Sequence, residues 1–403
     1  MFKLALRNIL RHKGRTAMTL SAIVFGVIGL ILSGGFVRDV LVQLGEAVIH
    51  SQLGHVQIFQ KGFYEQGTRS PEKYLIAEST MISEFAAKLP EAEATMSRLN
   101  FSGLLSNGKS DWAVVGEGVE ADKEAALGSY LQVTEGRMLS DDDRSGILIG
   151  DGVAQALDLK PGAQVTMLLN TADGALNTLE FEVVGIFQSF SKDFDSRAVR
   201  IALPAAQTLL GREGANSIVL SLRATPDTDY VASLLRGKLA ERGYEVKTWI
   251  EMSDFYVKTV ELYKRQFGIL QLIVLVMVLL SVINMVNMSV FERIGEFGTL
   301  MALGNTRGYV LRLVMLENVI LGLVGACIGL AAGIVLALLI SKGGIPMPPP
   351  PNSNVGYTAS IQLVPSVLAL AFVVGIGATV GAALIPAYRV SRTVIVDALR
   401  FNI

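Results

Sequence analysis

Four apolar runs, each near the ~20 residues that a helix needs to cross a bilayer, set most of what this chain can become. The first, AMTLSAIVFGVIGLILSGGFV (17–37), stands close to the N-terminus. The other three, GILQLIVLVMVLLSVINMVNMSV (268–290), ENVILGLVGACIGLAAGIVLALLI (317–340) and LVPSVLALAFVVGIGATVGAALI (363–385), crowd the C-terminal third. A chain of 403 residues that is 51% hydrophobic and 18% charged is more apolar than an ordinary soluble protein. Part of it belongs in lipid, and residues 38–267 are long enough for a folded insert between the first and second runs.

The first run outgrows the apolar core of about 7–15 residues in a secretory signal, and no clean small-x-small cleavage site follows it, so it reads as an uncleaved anchor. Orientation follows from the basic residues in short segments. Lys3, Arg7, Arg11, Lys13 and Arg15 precede the first run, Arg293, Arg307 and Arg312 lie between the second and third, and Arg389, Arg392 and Arg400 follow the fourth, whereas the loop between the third and fourth has only Lys342. The positive-inside bias puts both termini and the 291–312 segment in the cytoplasm and the large insert outside it. The expected location is a bacterial inner membrane, in contact with its lipids.

A formal net charge of −1, with acidic and basic residues interspersed, offers no basic field for nucleic acid. The lone Cys327 excludes an intrachain disulfide and a cysteine-based metal site. Residues 103–110, GLLSNGKS, match the phosphate-loop pattern letter for letter. That pattern works only between a strand and a helix start, and the SDWAVVGEGV that follows is a poor helix start. Asn107-Gly108 between two strand-like runs reads instead as a hairpin turn in which both residues accept positive φ. The insert is mixed α and β. STMISEFAAKLPE (79–91) has helical spacing, and a strand, DTDYVASLLRGKLAERG as a helix and YEVKTW as a strand repeat the unit late in the insert. These two units pair into one subdomain, leaving about 110–205 as a second, strand-rich one. No catalytic set stands out. His50 and His55 have no third ligand beside them in sequence and read as packing or surface residues, and SDDDRSG (140–146) lacks the calcium-loop spacing and reads as a solvated turn.

The most informative stretch is FERIGEFGTLMALGNTRGYVLRLVMLENVILGLVGACIG (291–329). Charges at a membrane exit, Glu292, Arg293 and Glu296, are followed by a short helix with Ile294, Phe297, Leu300, Met301 and Leu303 that ends near Gly304-Asn305. From spacing alone it is an interfacial helix, or one on which a soluble partner can dock. Its E-R-x-x-E-[IF]-G-x-L-x-A-L-G run resembles the signature of the FtsX-like, MacB-type permeases, the membrane subunits of type VII ABC transporters. LALRNILRHKGRTAMTLSAIVFGV near the N-terminus, IPAYRVSRTVIVDALR near the C-terminus, and LQVTEGRMLSDDDRSGILIGDGVAQALDLKPGAQVTML with FEVVGIFQSFSKDFDSRAVRIAL in the insert are similar to the same family. Ile395 and Asp397 depart from its usual proline and glutamate in the last motif.

The resemblance implies a non-catalytic permease worked by mechanotransmission. A cytoplasmic ABC ATPase docks on the helix after the second span, its nucleotide-driven closure moves the spans, and the external domain moves with them. Glu292, Arg293, Glu296, Gly298, Leu300, Ala302, Leu303 and Gly304 would make that contact. Fused members carry the ATPase ahead of the first span, where this chain has an amphipathic helix (Phe2, Leu6, Ile9 and Leu10 opposite Lys3, Arg7 and Arg11), so the motor, with its ATP and Mg, is expected on another polypeptide and no cofactor in this one. A second permease copy or paralogue and a periplasmic adaptor or lipoprotein carrier complete the implied partners. The implied work is extraction of lipoprotein or another amphiphile, as by lipoprotein-releasing permeases. Drug or peptide efflux in a tripartite pump, and FtsX-like activation of a cell-wall hydrolase without transport, stay open.

In lipid, glycines at four-residue spacing let helices approach closely. Gly325, Gly329 and Gly333 in the third run and Gly377 and Gly381 in the fourth are expected to pack helices, and Asn284 and Asn287, one turn apart in the second run, are expected to make an interhelical contact. The expected fold class is thus an α-helical membrane protein with four transmembrane helices and a mixed α+β extracytoplasmic domain, the MacB-type periplasmic core, between helices one and two. Its divisions are an amphipathic helix (1–16), first span (17–40), core domain (41–250), stalk helix and second span (251–290), coupling segment (291–312), third span (313–341), stiff Pro-rich loop (342–362), fourth span (363–388) and tail (389–403).

Overall fold

The computed structural model describes residues 1–11, 13–67, 71–127, 131–171, 174–349 and 356–392, so Ile395 and Asp397 lie outside the described residues. Among the described residues, four helices are long and apolar enough to cross a membrane: Lys13–Val48, Asp254–Phe291, Arg307–Gly343 and Pro365–Ser391. A 38-residue helix such as Asp254–Phe291 rises about 57 Å, nearly twice the ~30 Å hydrocarbon layer. The first two helices accordingly contribute residues to both compact units of the chain. One unit comprises Met1–Leu41, Val260–Pro346 and Thr358–Ile403; the other comprises Val42–Thr259 and Met347–Tyr357.

In the helical unit the first span meets the third through a row of small residues. Ile23, Val27 and Ile31, spaced four apart and each about 1% exposed, sit over Gly325, Gly329 and Gly333. A Cβ added at those glycines would stand 2.9 Å from Ile23, 2.8 Å from Val27 and 2.8 Å from Ile31. Where tails and side chains are equally apolar, this close fit supplies the association energy that water would supply elsewhere. Gly375 of the fourth span joins the same seam, 2.7 Å from Val27 by the same measure.

The other unit is built on one sheet of ten strands: β1 (Val56–Gln60), β2 (Ala92–Ser106), β3 (Asp111–Val119), β4 (Gln132–Gly136), β5 (Gly146–Gly150), β6 (Gln164–Asn170), β7 (Leu176–Gln188), β8 (Ala198–Ala202), β9 (Ser217–Leu222) and β10 (Tyr244–Thr248). Their order is β10-β1-β9-β2-β3-β8-β5-β7-β4, with β6 against β2 and β7. The strand-helix-strand units β1 to β2 and β9 to β10 interleave as a split βαβ pattern, with helices Ser79–Ala87 and Thr228–Leu239 over Val56, Ile58, Ile218 and Leu220. The second core forms under helices Asp151–Leu157 and Leu203–Leu210, around Ile147, Ile149, Phe181, Val183 and Ile201.

The expectation was of two subdomains; the strands of both halves join in one sheet, with a separate core under each half. The cause is the length of β2: its first half, Ala92 to Arg98, pairs with β9, and its second, Arg98 to Ser106, with β3. The phosphate-loop match falls at the tip of that second pairing. Ser106 faces Asp111 across the ladder, the Asn107 side chain accepts from the N–H groups of Lys109 and Ser110, and of the turn residues only Gly108 has positive φ, +80°. The turn therefore has four residues and one left-handed position, where two such positions were expected, because the Asn107 side chain does the closing. The acidic 140–146 segment spends its carboxylates internally: Asp143 holds Arg137 in a bidentate pair at 2.6 and 2.7 Å, and Asp141 accepts from the N–H of Ala121. In the proline-rich loop, Ile345–Met347 pairs with Tyr357–Ala359 as a two-stranded ribbon.

Candidate functional site

Between the second and third spans the chain stops, turns once and starts again. The helix Ile294–Ala302 buries Ile294, Phe297 and Met301 against Val290, Val310 and Val314, as their spacing predicts. Its end is a Schellman motif: Gly304, at φ +92°, donates to the carbonyl of Met301, and Asn305 donates to that of Leu300. Glycine is needed there because the left-handed backbone strains any residue with a Cβ. Thr306 then caps the third span by accepting from the N–H of Tyr309.

Arg293 occupies the N-cap position of the short helix. It is 6% exposed, stacks over the Phe297 ring at 5.0 Å, gives Nη1 to Glu317 Oε2 at 2.7 Å and gives Nε to Glu296 at 2.9 Å. Glu317, itself 6% exposed, also accepts from Asn8 at 2.7 Å. This network fastens the short helix to the third span and to the N-terminal helix Phe2–Arg11.

The expected contact residues therefore separate. Glu292, Ala302, Leu303 and Gly304 are exposed, Leu303 at 77%, while Glu296 and Leu300 are half-buried. Arg293 and Gly298 are buried; the Arg293 side chain, enclosed by Glu317, Glu296 and Phe297, holds the helix in place. Glu317 and Asn8 escaped the sequence reading. The available signal was an ionisable residue opening an apolar run, which demands a partner.

The packing expectations separate in the same way. Gly325, Gly329 and Gly333 lie in the seam already described. Gly377 and Gly381 are exposed, and a Cβ at either would meet nothing within 4 Å; the fourth span packs through Gly375 and Ala382 instead. Asn284 is exposed and Asn287 half-buried, so the interhelical contact expected of them is not formed within the described residues.

In the sheet unit, Glu46 stands beside His50 and His55, its carboxylate 3.2 Å from His50 Nε2, and the three donor atoms lie within 4.8 Å of one another. The expectation of two histidines without a third ligand nearby is thus corrected: Glu46, one helical turn before His50, is legible at i,i+4 spacing. The donor set fits a metal poorly. His55 Nδ1 accepts from the Leu222 N–H at 3.1 Å, which leaves the proton on Nε2, facing Thr225 Oγ1 at 3.1 Å, and Thr225 in turn donates to Glu46 at 2.6 Å. Burial, then the charge of His50, pushes the His55 pKa down to about 4.

Comparison with known proteins gives two family matches: the MacB-like periplasmic core domain over residues 16–238 and the FtsX-like permease C-terminal domain over 268–395. An uncharacterized ABC transporter permease of Methanocaldococcus jannaschii is 26% identical over 63% of this chain and 63% of its own length. The lipoprotein-releasing system transmembrane protein LolE of Haemophilus influenzae is 23% identical over 62% of this chain and 61% of its own. The macrolide export ATP-binding/permease protein MacB of Campylobacter jejuni is 26% identical over 83% of this chain and 52% of its own. The chain thus spans from about half to just under two thirds of the length of these relatives.

Proposed function

The chain belongs to the FtsX-like, MacB-type permease family of ABC transporters, and from that premise we propose that it couples ATP hydrolysis by a separate cytoplasmic ATPase to movement of its extracytoplasmic domain. The helix Ile294–Ala302 is the coupling element, with Leu303 and its exposed neighbours seated in the ATPase. ATP and its Mg are held by that partner, and the permease works in a bacterial inner membrane beside a second copy or paralogue. The observation that carries this reading is the division of labour around Arg293: one set of residues is enclosed and locks the helix to the third span, and an adjacent set is presented outward. A helix fastened in this way passes a push to the spans without melting first. Helices Lys13–Val48 and Asp254–Phe291, shared by both units, would carry it onward.

The cargo we propose is an amphiphile of the membrane such as a lipoprotein, taken in hand by a periplasmic carrier. The relatives' names support two cargo classes, lipoprotein release for LolE and macrolide export for MacB. Leu303→Asp tests the coupling. The variant inserts and melts as wild type but no longer co-purifies an ATPase; an intact complex at full ATPase activity overturns the reading. Mass spectrometry of what a nucleotide-free complex retains tests the cargo: lipid-modified protein supports release, and a soluble small molecule supports efflux.

A further inference from the structure

Side chains alternate across the sheet. Val56, Ile58, Ile218 and Leu220 face the helices of the split βαβ half, so Gln57, Phe59, Ser217, Arg98, Asn100, Ser102, Val115 and Glu117 share the opposite face. A cleft of about 630 Å³ opens there, a volume suited to a drug-sized molecule. Its floor is set by register: Asn100 of β2 lies opposite Glu117 of β3, and Ser102 opposite Val115. Its walls combine an apolar patch with Gln52, Gln57 and the exposed, oppositely charged Asp193 and Arg197. Phe59 and Phe63 stack at 5.1 Å, and Phe194 and Met252 face the same space.

Beneath the floor, two guanidinium groups balance two carboxylates. Arg98 spends Nε and Nη2 on Glu124 and Nη1 on the Gln52 carbonyl, and Arg200 gives Nε to Glu117 Oε2 at 2.9 Å and lies 3.6 Å from Glu124. The other oxygen, Glu117 Oε1, is 3.9 Å from Arg98 Nη1, beyond hydrogen-bonding distance. Glu117 lines the cleft with its side chain 12% exposed, so a largely buried carboxylate offers one oxygen to it that no described residue engages with a hydrogen bond.

We propose that this cleft binds a small uncharged amphiphile, with an aromatic or aliphatic body against Phe59, Phe63, Phe194 and Met252 and a hydroxyl or N–H donated to Glu117 Oε1. The quartet is balanced in charge, and Asp193 and Arg197, which also line the cleft, oppose each other in charge. An anion would face the lone pairs of Glu117, and a cation would leave a buried excess of positive charge beside Arg98 and Arg200; each is costly away from water. A neutral donor satisfies the open oxygen and disturbs neither balance. This inference stands apart from the coupling to an ATPase.

The test uses the full chain in lipid nanodiscs and N-phenyl-1-naphthylamine, an uncharged aromatic N–H donor, read by energy transfer from the chain's two tryptophans, Trp112 and Trp249. Saturable transfer is expected, displaced by the uncharged alcohol 4-phenylphenol. The same body carrying a sulfonate, 1-anilinonaphthalene-8-sulfonate, binds roughly tenfold or more weakly. Val115→Arg, at a position 46% exposed and so tolerant of bulk, weakens the neutral probe by roughly tenfold or more, as does Asn100→Leu, with melting temperatures unchanged. Absence of saturable transfer in the wild type, equal transfer in both variants, equal or tighter binding of the sulfonate, or displacement by dioctanoyl phosphatidylglycerol in place of the alcohol overturns the proposal.

Discussion

Arg293 Nη1 lies 2.7 Å from Glu317 Oε2, joining the N-cap of the short helix Ile294–Ala302 to the third span through a pair that is almost closed to solvent. Breaking one side of such a pair strands a buried charge. Arg293→Met or Glu317→Met alone is expected to cost about 3–5 kcal/mol, whereas the double variant costs less than either because no charge is stranded. Thermal melting of the four proteins measures the cycle, and additive losses would count against a buried pair.

The glycine seam gives a prediction with an internal control. A Cβ at Gly329 would stand 2.8 Å from Val27 Cβ and 3.2 Å from the Val24 backbone, so Gly329→Leu forces the first and third spans apart and costs about 1–3 kcal/mol or more. Gly377→Leu in the fourth span meets open space and stays within about 0.5 kcal/mol of wild type. Melting in detergent separates the two.

Stability should fall on the acid side through His55. Its folded pKa is about 4, against an ordinary value of 6.5. The unfolded chain binds the proton first, so the contribution is complete above pH 6.5 and is lost as pH falls from there to about 4, roughly 3 kcal/mol in all. His55→Asn keeps an acceptor near the Leu222 N–H without a titrating group. Its melting temperature should change less with pH over that window than the wild type's does.

Lys109 should be dispensable. It sits in a solvated hairpin turn whose backbone N–H is already accepted by Asn107, with no helix start after it to hold a phosphate. Lys109→Ala is expected to leave ATPase activity of the assembled transporter unchanged, within about 0.5 kcal/mol in stability; loss of nucleotide binding would reopen the phosphate-loop reading.

The sequence made legible whatever depends on local period and local turn chemistry. The four apolar helices, the stop at Gly304 and the hairpin at Gly108 all follow from residues close together in the chain. What it hid depends on returns over long separations. Glu317 reads as the edge of an apolar run until Arg293 and Asn8 are brought to it, and His55 reads as unrelated to Thr225 until β1 and β9 bring them together. Five glycines at one spacing looked equivalent, yet only those opposite Ile23, Val27 and Ile31 are covered, because sequence spacing defines a face without saying which neighbour arrives on it. That the two halves share one sheet was hidden for a related reason: the β2 ladder changes partner at Arg98, and a change of partner leaves no mark in alternation.

That shared strand has a mechanical corollary. The sheet runs from β10 to β4 through β2, which hands its pairing from β9 to β3 at Arg98; on the β3 side, the strands are held by hydrogen bonds that would have to be given up together. The floor at Asn100 and Glu117 is held by the β2–β3 ladder, so a change in the mouth above it falls to the segments at its rim, Phe63–Gly67 and Lys192–Asp195.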